Sequence, residues 1–202
     1  EGMANVGDDR DEVLQVSKHI FRSELKSLID TYTEMDASVF FKLVQMAYDK
    51  AIKDYNSKSL IFYHIHNPDT YAQLNFVRLN PDANFLFMVR EPIQSCESWV
   101  RSRFVENDHH GVANKILIML FEIDSIIYNK QVSIGIRLED LKEHPRKTIP
   151  ALCKWIGVKE EDSLYEMTAQ GKKWWGDPSS PDFKKDGHDP FGKTSIKRKV
   201  GS

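Results

Sequence analysis

Asn84-Phe85-Leu86-Phe87-Met88-Val89 is a nearly continuous apolar run of strand length, closed by Arg90 and followed by Pro92. Such a run suits a strand buried on both faces, the situation of a parallel sheet. Pro92 stands where a helix accepts its first residue. Two further segments read as strands. Leu60 to Ile65 is short, apolar and aromatic-rich, and Val132, Ile134, Ile136 and Leu138 alternate. Between and around them lie helical spacings. Leu14, Phe21, Leu25 and Leu28 predict a helix over 11–30, and Asp36 can cap a second one carrying Phe40, Val44, Ala47 and Ala51. A turn or two of helix follows Asp69, a longer helix spans about 112–129, and another ends at Gly157. Strand, helix, strand, helix, strand, helix is the α/β order.

A chain of 202 residues suffices for one domain. We divide it into a helical part over 1–56, an α/β core over 57–158 and a loop-rich lid with a basic tail over 159–202. With 41% hydrophobic and 29% charged residues, the composition is that of a folded domain. Lys and Arg number 28 against 30 Asp and Glu, a net charge of −2, so a basic nucleic-acid coat and a nucleic-acid partner are not expected. The longest apolar stretch, Ile116 to Phe121, is broken by Glu122 and Asp124 and falls short of a membrane span. The start is polar and acidic (Gly7-Asp8-Asp9-Arg10-Asp11), unlike a signal peptide. Two cysteines, Cys96 and Cys153, make no disulfide scaffold and fit a reducing, cytoplasmic compartment.

Four segments carry candidate chemistry. Arg90 closes the apolar strand, and Ser95, Ser98 and Ser102 follow at helical spacing. Ligands of open α/β sheets bind beyond the carboxyl ends of the strands, where a guanidinium and a hydroxyl suit a phosphate. A structural ion pair and a solvated serine face are the alternative. His64 and His66 share one strand face. Either could act as a base, serve structure, or belong to a metal pair, although no third ligand is evident. Gly187 to Thr194 matches the phosphate-loop pattern letter for letter. No buried strand precedes it, Pro190 removes an amide, and only eight residues follow, so we read it as fortuitous. The carboxyl end, with Lys193, Lys197, Arg198 and Lys199, is either a solvated tail or a loop that closes on an anion.

Together these segments resemble the sulfotransferases that use 3′-phosphoadenosine 5′-phosphosulfate (PAPS). Arg90, Pro92 and Ser98 match the family's strand-end Arg, Pro and Ser, which hold the donor's 3′-phosphate. His66 and Pro68 match its Lys-x-His-x-Pro, whose His is the catalytic base, with His64 in the Lys position. Arg137-Leu138-Glu139-Asp140-Leu141 and His144-Pro145 are similar to its Arg-Tyr-Glu-Asp-Leu segment and following Pro, with Leu138 in place of the Tyr. Leu152 to Val158 looks like the helix end beyond it. Arg198-Lys199-Val200-Gly201 is similar to its Arg-Lys-Gly loop, with Val200 interposed. The likeness is good over 58–158 and loose in the tail.

The resemblance implies a P-loop nucleotide-kinase-like parallel sheet flanked by helices. Its first strand and phosphosulfate loop have no counterpart before Leu60. It implies transfer of a sulfuryl group from PAPS to a hydroxyl or amine on a small molecule, glycan or peptide, leaving adenosine 3′,5′-bisphosphate, with no metal. His66 would be the base. Protonated, His64 would offset sulfonate charge. Arg90 and Ser98 would anchor the donor, and Lys197, Arg198 and Lys199 would close over it. An oligomer is compatible with this reading. The alternative is a non-catalytic domain of the same fold that binds a nucleotide or a partner protein.

Overall fold

The computed structural model describes residues 3–64, 70–123, 132–179, 183–184, 187–193 and 196. It is a mixed α/β chain with two compact units. One takes in the residues up to Ala4 and Glu12–Asp82, the other Asn5–Asp11 and everything from Ala83. Strands β1 (Met3–Val6) and β2 (Glu12–Leu14) form a two-stranded sheet.

In the amino-terminal unit, helix α1 (Lys18–Ile29) is shorter than the predicted 11–30. Ser17 sets its start. Its backbone is extended and its Oγ accepts from the Ile20 amide at 3.3 Å, which ends the helical path upstream and leaves Leu14 in β2. Asp36 caps α2 (Ala37–Ala51) as expected, accepting from the Val39 amide at 2.7 Å. The buried members of α2 are Leu43 and Ala47, and α1 packs against α2.

The chain then runs without regular structure to His64. Leu60–His64, the described part of the predicted first strand, belongs to no sheet among the described residues. Its apolar side chains are 42–70% exposed, so they do not pay for a buried strand. Lys58 pins its start, with Nζ 2.6 Å from Asp49 Oδ1 and 2.8 Å from Asp54 Oδ2. That hydrogen bond with Lys58 holds the Asp54 carboxyl below its usual range, and the two carboxylates, Asp49 foremost, raise the lysine. Helix α3 (Thr70–Leu79) is longer than the turn or two expected.

In the carboxy-terminal unit, β3 (Phe85–Val89) lies parallel to β4 (Ser133–Arg137), with Phe85 opposite Ser133 and Val89 opposite Arg137. Both predicted strands are present, each within a residue of its expected ends. No third strand joins them among the described residues, so the wider P-loop-like sheet is not present there. Phe85 and Ile136 are buried, but Met88 and Val89 are exposed, so β3 is not covered on both faces at its carboxyl end. Helices α4 (Pro92–Val105) and α5 (His109–Ile123) follow β3. The remainder of the predicted 112–129 helix lies outside the described residues.

After β4 come α6 (Leu138–Glu143) and α7 (Pro145–Ile156). Pro145 opens α7, Ile149 and Cys153 form its buried stripe, and Gly157 closes it at φ 82°. The Gly157 and Val158 amides both reach Cys153 O, a left-handed cap that glycine adopts without steric cost.

The predicted lid contains a short 3₁₀ turn (Asp162–Tyr165) and two small antiparallel pairs. These are β5 (Thr168–Ala169) with β6 (Lys172–Lys173), and β7 (Phe183–Lys184) with β8 (Gly187–His188). Residues from both ends of the chain meet here. Gly7 N donates to Lys173 O, Trp175 N to Asn5 O, and Trp175 Nε1 to Gly7 O at 2.6 Å. Val6 is fully buried against this seam, where it bridges to Trp174. Arg10 and Lys173 each place a cation within 3.8 Å of the Trp175 ring centre. Among the described residues no helix is long and apolar enough to cross a membrane.

Candidate functional site

The site worth building is the carboxyl edge of the parallel pair. Because β3 and β4 run the same way in register, Val89 and Arg137 end side by side. Arg90 and Glu91 therefore leave the sheet beside Leu138 and Glu139. Arg90 is half-buried, and its Nε is shielded from solvent. Pro92 opens α4 as expected, and Glu91 is its cap. Glu91 Oε2 accepts from the Gln94 amide at 2.6 Å, and the Glu91 amide donates to Glu139 Oε1 at 3.0 Å. Glu139 Oε2 lies 3.8 Å from Arg137 Nε, close enough for charge attraction and too far for a hydrogen bond.

The carboxyl-terminal segment reaches the same edge. Gln94 Nε2 donates to Ile196 O at 3.5 Å, and Lys142 Nζ to Gly192 O at 2.6 Å. Ile196 is buried. Gln94 Oε1 is buried and has no hydrogen-bond partner among the described residues. The edge thus joins two guanidiniums, of Arg90 and Arg137, two carboxylates and an acceptor that still has capacity.

An amide-rich helix start, which attracts anions in general, is not what α4 offers. Pro92 has no N–H, and the Glu91 and Gln94 amides already face carboxylates. An anion at this edge would rely on side chains.

Of the predicted donor-binding residues, Arg90 stands at the strand end as expected. Ser98 lies within α4, but its side chain is outside what the structure describes. Lys197, Arg198 and Lys199 lie outside the described residues, as does His66. His64 is exposed at the end of the described 55–64 segment and belongs to the amino-terminal unit, whereas Arg90 belongs to the carboxy-terminal one. The fortuitous phosphate-loop match falls on β8 and a turn in which Asp189 Oδ1 accepts from Phe191 N at 2.8 Å. A two-residue antiparallel strand leads into it, not a buried parallel one. Among the described residues no three His, Cys, Asp or Glu side chains gather as a metal site.

Gln94 and Lys142 were not singled out by the sequence, while Glu139 stood only within the 137–141 likeness and Glu91 only between Arg90 and Pro92. The usable signal was Glu91 before Pro92, an acidic residue at a helix start. No protein-family model, curated protein or solved structure matches the chain.

Proposed function

We propose that the chain is a PAPS-dependent sulfotransferase domain whose parallel pair belongs to a P-loop nucleotide-kinase-like sheet. The observation that supports it most is Arg90 at the carboxyl edge of two parallel strands, directly before a helix that carries Ser98. Brought to that edge, the donor's 3′-phosphate would meet Arg90 and Ser98. The local chemistry fits a side-chain anchor better than an amide cradle, since Glu91 and Glu139 hold the nearby amides.

In the transfer, the acceptor's oxygen or nitrogen attacks sulfur. The bond from sulfur to the 5′-phosphate oxygen breaks, and its electron pair leaves with adenosine 3′,5′-bisphosphate. The acceptor's proton passes to His66. Alignment and charge stabilisation carry most of such a reaction.

The carboxylates at the start of α4 favour one rival reading. A domain whose helix start is filled by its own acids could bind a nucleotide weakly and turn nothing over. Calorimetry with adenosine 3′,5′-bisphosphate and a sulfate-transfer assay separate the two. Arg90→Ala should weaken binding about 10- to 150-fold, since a charge-assisted contact is lost, and Ser98→Ala less. His66→Ala should lower turnover by about two to four orders of magnitude with donor affinity little changed. Unchanged affinity in a folded Arg90→Ala variant would make Arg90 structural. Binding without any transfer would favour the rival.

A further inference from the structure

Helix α5 carries its apolar stripe on the outside. Between Val112 and Ile123 its sequence is apolar except for Asn114, Lys115 and Glu122. A helix of a folded domain ordinarily turns such a stripe to the core. Here Ala113, Leu117, Leu120 and Phe121 stand at i, i+4, i+7 and i+8, so they share one face, and all four are exposed. Ile116 and Ile118 flank them and are exposed too. Exposure of the large side chains runs from 39% at Ile116 to 71% at Phe121. Positions 115 and 122, seven apart, lie on the opposite side, and Lys115 is half-buried. Helix α4 packs against α5 and leaves the apolar stripe open.

The size of the stripe fits one kind of occupant. Ile116, Leu117, Ile118, Leu120 and Phe121 together leave roughly 500 Å² of apolar surface open, toward the upper end of what a monomer shows. One side of a standard interface takes about 800 Å², and homodimer interfaces are about 65% apolar. The stripe thus supplies the apolar share of one half of a dimer. It is also complementary to itself. A two-fold axis through Leu117 sets positions equally far before and after that residue opposite each other. Ala113 of one copy then faces Phe121 of the other, and the reverse, so the smallest side chain of the stripe meets the largest at two places. The two helices run antiparallel, with their dipoles opposed. A membrane surface is the poorer occupant. Helices that lie in a bilayer interface are rich in Lys and Arg on their polar side, whereas α5 has one Lys there, in line with Glu122.

We propose that the exposed face of α5 is a docking surface for a second copy of this chain, the two helices pairing antiparallel about a two-fold axis at Leu117. Each copy covers the other's Leu117, Leu120 and Phe121, and Ala113 is the hollow that receives the partner ring. The proposal goes beyond the transfer reading and stands without it, since it uses no residue of the strand edge.

The test is sedimentation velocity on the full chain between about 1 and 100 µM, where a species of twice the 23.4 kDa chain mass should grow with concentration. Leu117→Asp should raise the dissociation constant at least about a hundredfold, because two like charges would meet on the axis. Leu117→Lys should do the same. Both should keep the parent's circular dichroism spectrum, since Leu117 is exposed in the single chain. An equimolar mixture of the two variants should regain the dimer, a result that requires position 117 to face itself. Ala113→Phe should weaken association about tenfold or more by filling the hollow, and Phe121→Ala in the same chain should restore part of it. A parent that stays at one chain mass throughout, a dimer that survives both Leu117 variants, or a mixture of them that stays monomeric would overturn the proposal. So would a monomeric parent that binds phosphatidylserine vesicles through Leu117, which would give the face to a membrane.

Discussion

The two units solve the problem of a small core in different ways. The amino-terminal unit buries only Leu43 and Ala47 fully among its described side chains, and arranges its aromatic rings around a hollow. The carboxy-terminal unit buries Val6, Phe85, Ile136, Ile149, Cys153 and Ile196, drawn from strands, a helix and both ends of the chain. The first is built from neighbours in sequence, the second from segments far apart. A local scaffold can tolerate a cavity, since its helices are separately capped by Ser17 and Asp36. A scaffold of distant pieces depends on the residues at its seams.

The strongest way to break this contrast is through the two cores. Ile149→Ala and Leu43→Ala should each cost about 2–5 kcal/mol, the range for truncating a buried aliphatic side chain. Hydrogen exchange should place the first loss in β3, β4 and α7, and the second in α1 and α2. Exchange rising equally everywhere in either variant would erase the distinction. A smaller effect is expected at the seam. Trp175→Phe keeps a ring for Arg10 and Lys173 but removes the donor to Gly7 O, and should cost about 1–2 kcal/mol. Amides of Gly7 and Trp175 should exchange faster, while those of α2 stay as they were.

The smallest effect is electrostatic and belongs to the amino-terminal unit. The Asp54 carboxyl is held below the usual carboxylate range, chiefly by its hydrogen bond to Lys58. A depressed carboxylate stabilises the fold above its unfolded pKa, and that contribution fades as pH falls through the lower folded value. Lys58→Met should therefore melt slightly lower than the parent at pH 6, by roughly two degrees or less, because the pair is exposed to solvent. The gap should close as pH falls through the depressed folded value of Asp54. A gap that persists in acid would assign the effect to the lysine's methylenes and not to its charge.

The parallel pair was legible because a run such as Phe85–Val89 has few other uses, and its partner's alternation survives in Ile134 and Ile136. The caps at Asp36 and Gly157 were legible because each acts through its own backbone neighbourhood. Leu60–His64 was misread because apolar content was taken as strand content. In the structure Tyr63 serves a ring cluster, and among the described residues it belongs to no sheet. The start of α1 was misplaced because Leu14 falls in phase with Phe21, and phase does not reveal a cap at Ser17. At the candidate site, Arg90 could be placed from the strand it closes. The coupling of Glu91 to Glu139 could not, since it joins a backbone amide to a side chain 48 positions away.

The seam between Asn5–Gly7 and Lys173–Gly176 also has a consequence in time. Trp175 and Gly7 are separated by 168 positions. At roughly 5–20 residues per second, a ribosome needs about 10–30 s to make the second after the first. Throughout that interval Val6 has no Trp174 to cover it. The nascent chain must keep this short segment soluble while the helices behind it form, and the acidic run Asp8, Asp9 and Asp11 beside it supplies the charge to do so. Closing so long a loop is slow compared with forming a helix, so the seam is expected to be among the last parts of the molecule to form.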